Sequence, residues 1–153
     1  MRADRAVTVD TDAFLKPAEP VLAAAAAIAA RRGWHTGWLN DAAGVFVPSG
    51  YGDRLAVWRT VHDDGYVRIE VGDFGTLLAM ELHAANRRGN RDGPDLAVLL
   101  PACGITTVDA ATELYEAYYP GDSLTVRSEG LLAALLDIGT PAPAALSVPP
   151  LSR

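Results

Sequence analysis

The chain reads as an α+β fold, with a mainly sheet-forming first half up to residue 75 and a mainly helical second half over 76–138. Three observations predict this. Alternating apolar and polar residues occur around Val7 and Val9 and again from Tyr66 to Val71, the period of a half-buried strand. From Thr76 onward the apolar residues switch to helical spacing, with Leu78, Leu82 and Ala85 on one stripe. At 153 residues, 50% apolar and 21% charged, the chain suffices for one globular core and is too apolar for a disordered chain. A single domain over 1–138 is therefore expected. Pro141, Pro143, Pro149 and Pro150 make 139–153 an extended, mobile tail.

Each element has a local reason. Arg5 to Asp12 alternates Val7 and Val9 against Thr8, Asp10 and Asp12, which predicts a strand ending in two carboxylates on one side. Pro20 suits a first helical turn, and the alanine-rich run that follows predicts a helix over Val21–Arg32 closed by Gly33. Val45 to Pro48 reads as a short strand. Leu55–Val61 and Tyr66–Val71 flank His62-Asp63-Asp64-Gly65, a hairpin turn, with Val67, Ile69 and Val71 on one face and Arg68 and Glu70 on the other. Thr76–Arg88 is a helix broken by the linker 89–93. Pro94 opens a short helix ending near Pro101, Thr107 caps a helix over Val108–Tyr119 that Pro120 stops, and Leu124–Leu136 is a last amphipathic helix.

Composition narrows the function classes. A net charge of −6 argues against broad electrostatic binding of nucleic acid, and Arg87, Arg88 and Arg91 form the one dense basic cluster. The single Cys103 has no partner for an internal disulfide or a thiol-paired metal site. This fits a reducing cytosol, and its apolar neighbours predict a buried, inert thiol. No apolar leader follows Met1, and the longest apolar run, Val21–Ala30, falls short of the ~20 residues of a membrane span. A cytoplasmic protein with no membrane partner is expected.

The candidate chemistry is acidic. Asp10 and Asp12, two apart on a strand, present carboxylates to one side, which suits a Mg²⁺ ion bridging to a nucleoside triphosphate. The same pattern also occurs where aspartates only bond backbone amides. Glu70, opposite the apolar face of its strand, is either a third metal ligand or an exposed strand glutamate. Glu81 lies at the edge of the apolar stripe beside Leu77, Leu78 and Ala85, where it either pairs with Arg88 or borders a cleft. Met80, His83, Asn86 and Arg87 fall on the opposite face. In the segment 87–95 an aspartate, Asp92 or Asp95, caps the next helix, while the arginines suit phosphate oxygens or a self-paired loop. Trp38-Leu39-Asn40-Asp41 reads as a structural corner, and the scattered His35, His62 and His83 match no ligand spacing.

Taken together, these runs resemble a known family. Arg5 with Thr8-Val9-Asp10-Thr11-Asp12-Ala13 is similar to the R-x-T-x-D-x-D-A signature of nucleotidyltransferase-fold proteins, with one extra residue after the arginine. Trp38-Leu39-Asn40-Asp41 looks like the W-L-N-D of one subgroup. Leu77-Leu78-Ala79-Met80-Glu81-Leu82-His83-Ala84 through Arg91-Asp92-Gly93-Pro94-Asp95-Leu96 resembles its L-L-A-M-K-L-x-A…R-D-x-x-D-L, and Tyr118-Tyr119-Pro120 its late Y-Y-P. The subgroup includes the AbiEii-type and MenT-type toxins of toxin–antitoxin systems.

The resemblance implies a polymerase-β-like nucleotidyltransferase fold, a small mixed sheet flanked by helices with a C-terminal helical part. It implies transfer of a nucleotide from an NTP to tRNA or another RNA, and a cognate antitoxin as protein partner. By position, Asp10 and Asp12 would hold Mg²⁺ with Glu70 as third acid. Asp92 and Asp95 would be the catalytic acidic pair, and Thr8, Arg88 and Arg91 would meet the nucleotide. Two features depart from the pattern. No glycine-rich phosphate-cradling turn precedes Asp10, so the chain reads as an N-terminally short member, and Glu81 stands where the family has lysine. A glutamate repels phosphate, which makes a catalytically degenerate binding or regulatory protein the alternative expectation.

Overall fold

A computed structural model of the chain describes residues 10–88 and 93–138. The fold is mixed α and β: among the described residues there are two separate two-stranded sheets and five α-helices. No helix among them is long and apolar enough to cross a membrane. The chain divides into two compact units, Met1–Val47 and Pro48–Arg153.

In the first unit, β1 (Thr11–Asp12) pairs in parallel with β2 (Leu39–Asn40), and helix α1 (Ala18–Arg32) makes the crossover between them. Residues 5–9 of the expected first strand lie outside the described residues. The α1 helix runs longer than its alanine core because Ala18, Glu19 and Pro20 fit a first turn. It stops at Gly33, whose φ of 68° is left-handed and whose N–H reaches the Ala29 carbonyl oxygen. Trp38 packs edge-on against Trp34, with ring centroids 5.2 Å apart, and its indole N–H donates to the Ala25 carbonyl at 3.0 Å. The expected corner is thus fastened to α1. The strand expected over Val45–Pro48 is instead a turn of 3₁₀ helix, Ala42–Phe46. Its start is drawn inward by hydrogen bonds from Ala42 N–H to Asn40 Oδ1 (2.9 Å) and from Ala43 N–H to the Ala13 carbonyl (3.1 Å). Those bonds satisfy the backbone locally and leave no partner strand for a ladder.

The second unit opens with a hairpin of β3 (Trp58–Asp63) and β4 (Arg68–Gly72), antiparallel as expected, with both strands beginning two or three residues later in the chain. The register slips between Thr60 and His62, so Val61 is the extra residue of a bulge. The turn is held by its own aspartates. Asp63 accepts from the Gly65 N–H, and Asp64 accepts from the Tyr66 and Val67 N–H groups at 2.9 and 2.8 Å. These amide bonds, with Arg68 beside Asp63, hold both carboxyls below the usual aspartate range. Val67, Ile69 and Val71, expected together on one face, stay about half exposed at 53, 47 and 45%.

Helices α2 (Phe74–Arg88), α3 (Gly93–Ala102), α4 (Val108–Tyr118) and α5 (Val126–Asp137) hold the core. The α2 helix starts two residues before Thr76 because Asp73 caps it, its carboxylate accepting the Thr76 N–H at 2.8 Å. The buried Thr76 hydroxyl in turn accepts from the Val57 N–H at 2.9 Å, tying the hairpin to the first turn of α2. Thr107 caps α4 through the Ala110 N–H, and Thr125 caps α5 through the Ser128 N–H. Leu78 and Leu82 of α2, Leu96 and Leu100 of α3, Tyr115 of α4 and Leu132 of α5 are all buried in one cluster. Each such leucine contributes about 1.5–3 kcal/mol by leaving water. Cys103 packs at the margin of this core, half-buried where full burial was expected.

Candidate functional site

The carboxylate pair lies in the first unit. Asp10 and Asp12 are both exposed, one immediately before β1 and one at its end. The parallel pairing puts Asp12 opposite Asn40, and the Asn40 amide donates to Asp12 Oδ1 at 2.7 Å. Asn40 Oδ1 is turned back onto the Ala42 N–H. The next residue, Asp41, accepts the Leu15 N–H at 2.7 Å. The two runs Asp10-Thr11-Asp12 and Trp38-Leu39-Asn40-Asp41, separate in sequence, therefore meet, and Asp12, Asn40 and Asp41 each make a side-chain hydrogen bond there.

This site has the donor chemistry for a hard cation. Mg²⁺ takes oxygen ligands, keeps several waters, and is commonly bound through one or two carboxylates plus substrate phosphates. Asp10 and Asp12 supply carboxylates, and the Asn40 bond engages one oxygen of Asp12 while fixing the group's orientation. Among the described residues no group of three or more His, Cys, Asp or Glu side chains is arranged to hold a metal ion.

The other expected residues belong to the second unit or lie outside the described residues. Glu70 is exposed on β4, with the Thr60 hydroxyl donating to it at 3.4 Å. Arg88 ends α2 and is exposed, while Glu70 precedes the opposite end of that helix, ~20 Å away along its axis at 1.5 Å per residue. Asp95 is exposed in the first turn of α3, where a negative charge suits the helix dipole. Glu81 is half-buried on α2. Thr8, Arg91 and Asp92 lie outside the described residues.

A denser polar site, which sequence reasoning missed, sits on the face of α2 expected to point away from the core. His83 is only 6% exposed and stacks on Tyr119 with ring centroids 4.3 Å apart and planes 11° from parallel. Arg87 Nε donates to His83 Nε2 at 3.0 Å. A guanidinium N–H only donates, so Nε2 is the acceptor and a neutral imidazole carries its proton on Nδ1. The remaining contacts agree. His83 Nδ1 lies 2.9 Å from the Tyr115 hydroxyl, which donates its own hydrogen to Asp122 Oδ2 at 2.8 Å.

Burial pushes the His83 pKa down, and Arg87 pushes it the same way, with Asp122 opposing. Burial likewise pushes the Tyr115 and Tyr119 phenols well up, so both stay protonated. Beside this chain Asn86 pins the α4–α5 connection, donating to the Ser123 carbonyl and accepting from the Thr125 N–H and the Ser128 hydroxyl. The signal in the sequence was the pair Tyr115 and Tyr119, one helical turn apart, followed closely by Asp122.

The second unit also contains a cleft of about 680 Å³ lined by Arg54, Arg59, Asp73, Cys103 and Glu113 among others. None of the residues expected from the sequence lines it. Burial pushes the Cys103 thiol pKa up, helped by Asp73 and opposed by Arg54, so the thiol is a poor nucleophile. Comparison with protein-family models, curated proteins and solved structures finds no match for this chain.

Proposed function

We propose that this chain is a nucleotidyltransferase-type protein that binds Mg²⁺ and an NTP at Asp10 and Asp12 and transfers a nucleotide to an RNA such as tRNA. In this reading it is the cytoplasmic toxin component of a toxin–antitoxin pair, with a cognate antitoxin as its protein partner. The observation that supports it is the hydrogen bond between Asn40 and Asp12. It joins the two runs that resemble one family's signatures into a single small site, which a shared role in that family requires.

In such a reaction an RNA hydroxyl attacks the α-phosphorus and pyrophosphate leaves. Positioning and charge neutralisation supply most of the catalysis. Asp10 and Asp12 would hold the cation, with Glu70 as third acid. Thr8, Arg88 and Arg91 would meet the nucleotide, and Asp92 and Asp95 would complete the catalytic acids. Incubation with Mg²⁺, labelled NTPs and total RNA tests the proposal. Label transfer that is lost in both Asp10→Ala and Asp12→Ala supports it, and transfer indifferent to both substitutions refutes it.

A second reading keeps the nucleotide and drops the chemistry. It is favoured by Glu81 in the lysine position, where its charge opposes phosphate. Calorimetry with Mg²⁺ and each NTP separates the two. Nucleotide binding that depends on Asp10, with no transfer to any RNA, selects the binding protein.

A further inference from the structure

We propose that Arg87, oriented by His83, is a binding residue for a tetrahedral oxyanion, namely a phosphate group, whether of a nucleotide or free. The inference goes beyond the reading above and names a residue and a positioning partner that the family resemblance does not supply.

The argument is geometric. A guanidinium has five N–H donors in a rigid plane, one on Nε and four on the two Nη atoms. His83 Nε2 takes the Nε–H at 3.0 Å, from a ring that is itself fixed by stacking on Tyr119 and by the Tyr115–Asp122 chain. The orientation of the plane is thereby set without using the Nη1–Nη2 edge, the fork that binds phosphate oxygens bidentately. Among the described residues the Nη atoms have no ion pair within 4 Å, and Arg87 is exposed. An arginine left to itself loses side-chain entropy when it binds. Here part of that ordering is already present in the fold. Arg87 also begins the one dense basic cluster of a chain whose net charge is −6, so an anion has this place to go.

The arrangement has a pH signature that simple charge attraction does not share. Among the described residues, the titratable and charged groups seen against His83 include Arg87 on its own helix, Tyr115 on α4, Tyr119 at its C-cap and Asp122 in the turn that follows. The tyrosines remain neutral, and Asp122 lies 3.7 Å from Nδ1. A proton added to Nε2 replaces the acceptor of Arg87 with a donor and sets two cations against each other. Arg87 is released, and the oriented fork is lost. Anion binding through Arg87 therefore weakens on acidification, although the protein as a whole becomes more positive.

The test uses the full chain and inorganic sulfate, whose charge does not change between pH 8 and 5, in EDTA, with the Arg87 Nε–H signal followed by NMR. At pH 7.5 sulfate shifts that signal, Arg87→Ala weakens sulfate binding about tenfold, and Arg87→Lys fails to restore it because an ammonium is not a fork. Affinity in the native protein falls as His83 titrates. ATP and pyrophosphate, still in EDTA, displace sulfate. Tighter displacement by ATP assigns the site to a nucleotide's phosphates, and equal displacement assigns it to phosphate alone. Unchanged sulfate binding in Arg87→Ala, affinity that rises steadily on acidification, or displacement by neither ligand overturns the proposal. With no divalent cation present, these outcomes are separate from the Asp10- and Asp12-dependent transfer that tests the function itself.

Discussion

Replacing Tyr115 by Phe removes one oxygen atom and asks how much of the helical unit depends on the buried polar chain. Tyr115 is fully buried, and its hydroxyl sits between His83 Nδ1 at 2.9 Å and Asp122 Oδ2 at 2.8 Å. Phe keeps the ring and its contact with Tyr119, whose centroid lies 5.0 Å away, so little packing is lost. What changes is that the hydroxyl no longer bridges the imidazole N–H and the carboxylate. Stranding a buried polar group costs about 1–3 kcal/mol. Asp122 stands only 3.7 Å from Nδ1, so a small movement of the turn recovers part of that interaction. The expected loss is therefore in the lower half, about 1–2 kcal/mol. With a urea dependence of about 2 kcal/mol per molar, this moves the unfolding midpoint down by about 0.5–1 M. The assay is urea denaturation read by amide hydrogen exchange on α2 and α4, which isolates the helical unit. A midpoint shift below about 0.2 M, which is about 0.4 kcal/mol at that slope, would refute the expected contribution of the polar chain.

Local chemistry made most of the helices legible. Thr107 before Val108, Pro94 in a first turn and Gly33 after Arg32 are signals that act over three or four residues, and the structure uses all three. The hairpin was legible for the same reason, because Asp63 and Asp64 fasten the turn within five residues. Long-range partnership was not. The 3₁₀ turn at Ala42–Phe46 replaces a strand because Asn40 and Ala13 supply its hydrogen bonds, and apolar content alone does not reveal that. Asp12 met Asn40 only through a parallel pairing across an intervening helix. His83 falls on the face opposite the apolar stripe, and the stripe alone does not show that α2 buries a second surface. In fact α4 and the α4–α5 turn cover a second face, and there polar groups are buried because they satisfy one another.

Two further outcomes test the packing and electrostatics of the second unit. A Cβ at Gly52 would overlap the Ala117 carbonyl oxygen, so Gly52→Ala displaces the loop. The expected loss is about 1–3 kcal/mol, the usual range for overpacking. It should come with lost exchange protection at Arg54, whose N–H bonds that same carbonyl at 2.9 Å. An unchanged midpoint would mean that the loop is not held there. The last outcome follows from His83, whose folded pKa lies below its ordinary value of 6.5, first through burial and then through Arg87. Between the folded value and 6.5 the unfolded chain binds a proton at this residue that the folded chain refuses, so the contribution of His83 to stability rises with pH across that window. The contribution is complete above 6.5 and is lost as pH falls toward the folded value, with a slope no steeper than about 1.4 kcal/mol per pH unit for one proton. Asp63 and Asp64 act in the same direction only below 3.8, so they do not enter the window. Arg87→Ala removes a charge that holds His83 neutral, and it should flatten the fall. Urea midpoints measured from pH 8 to 5 decide the matter. A native midpoint that falls no further than that of Arg87→Ala through this range would count against a buried neutral imidazole donating from Nδ1 and accepting from Arg87 at Nε2.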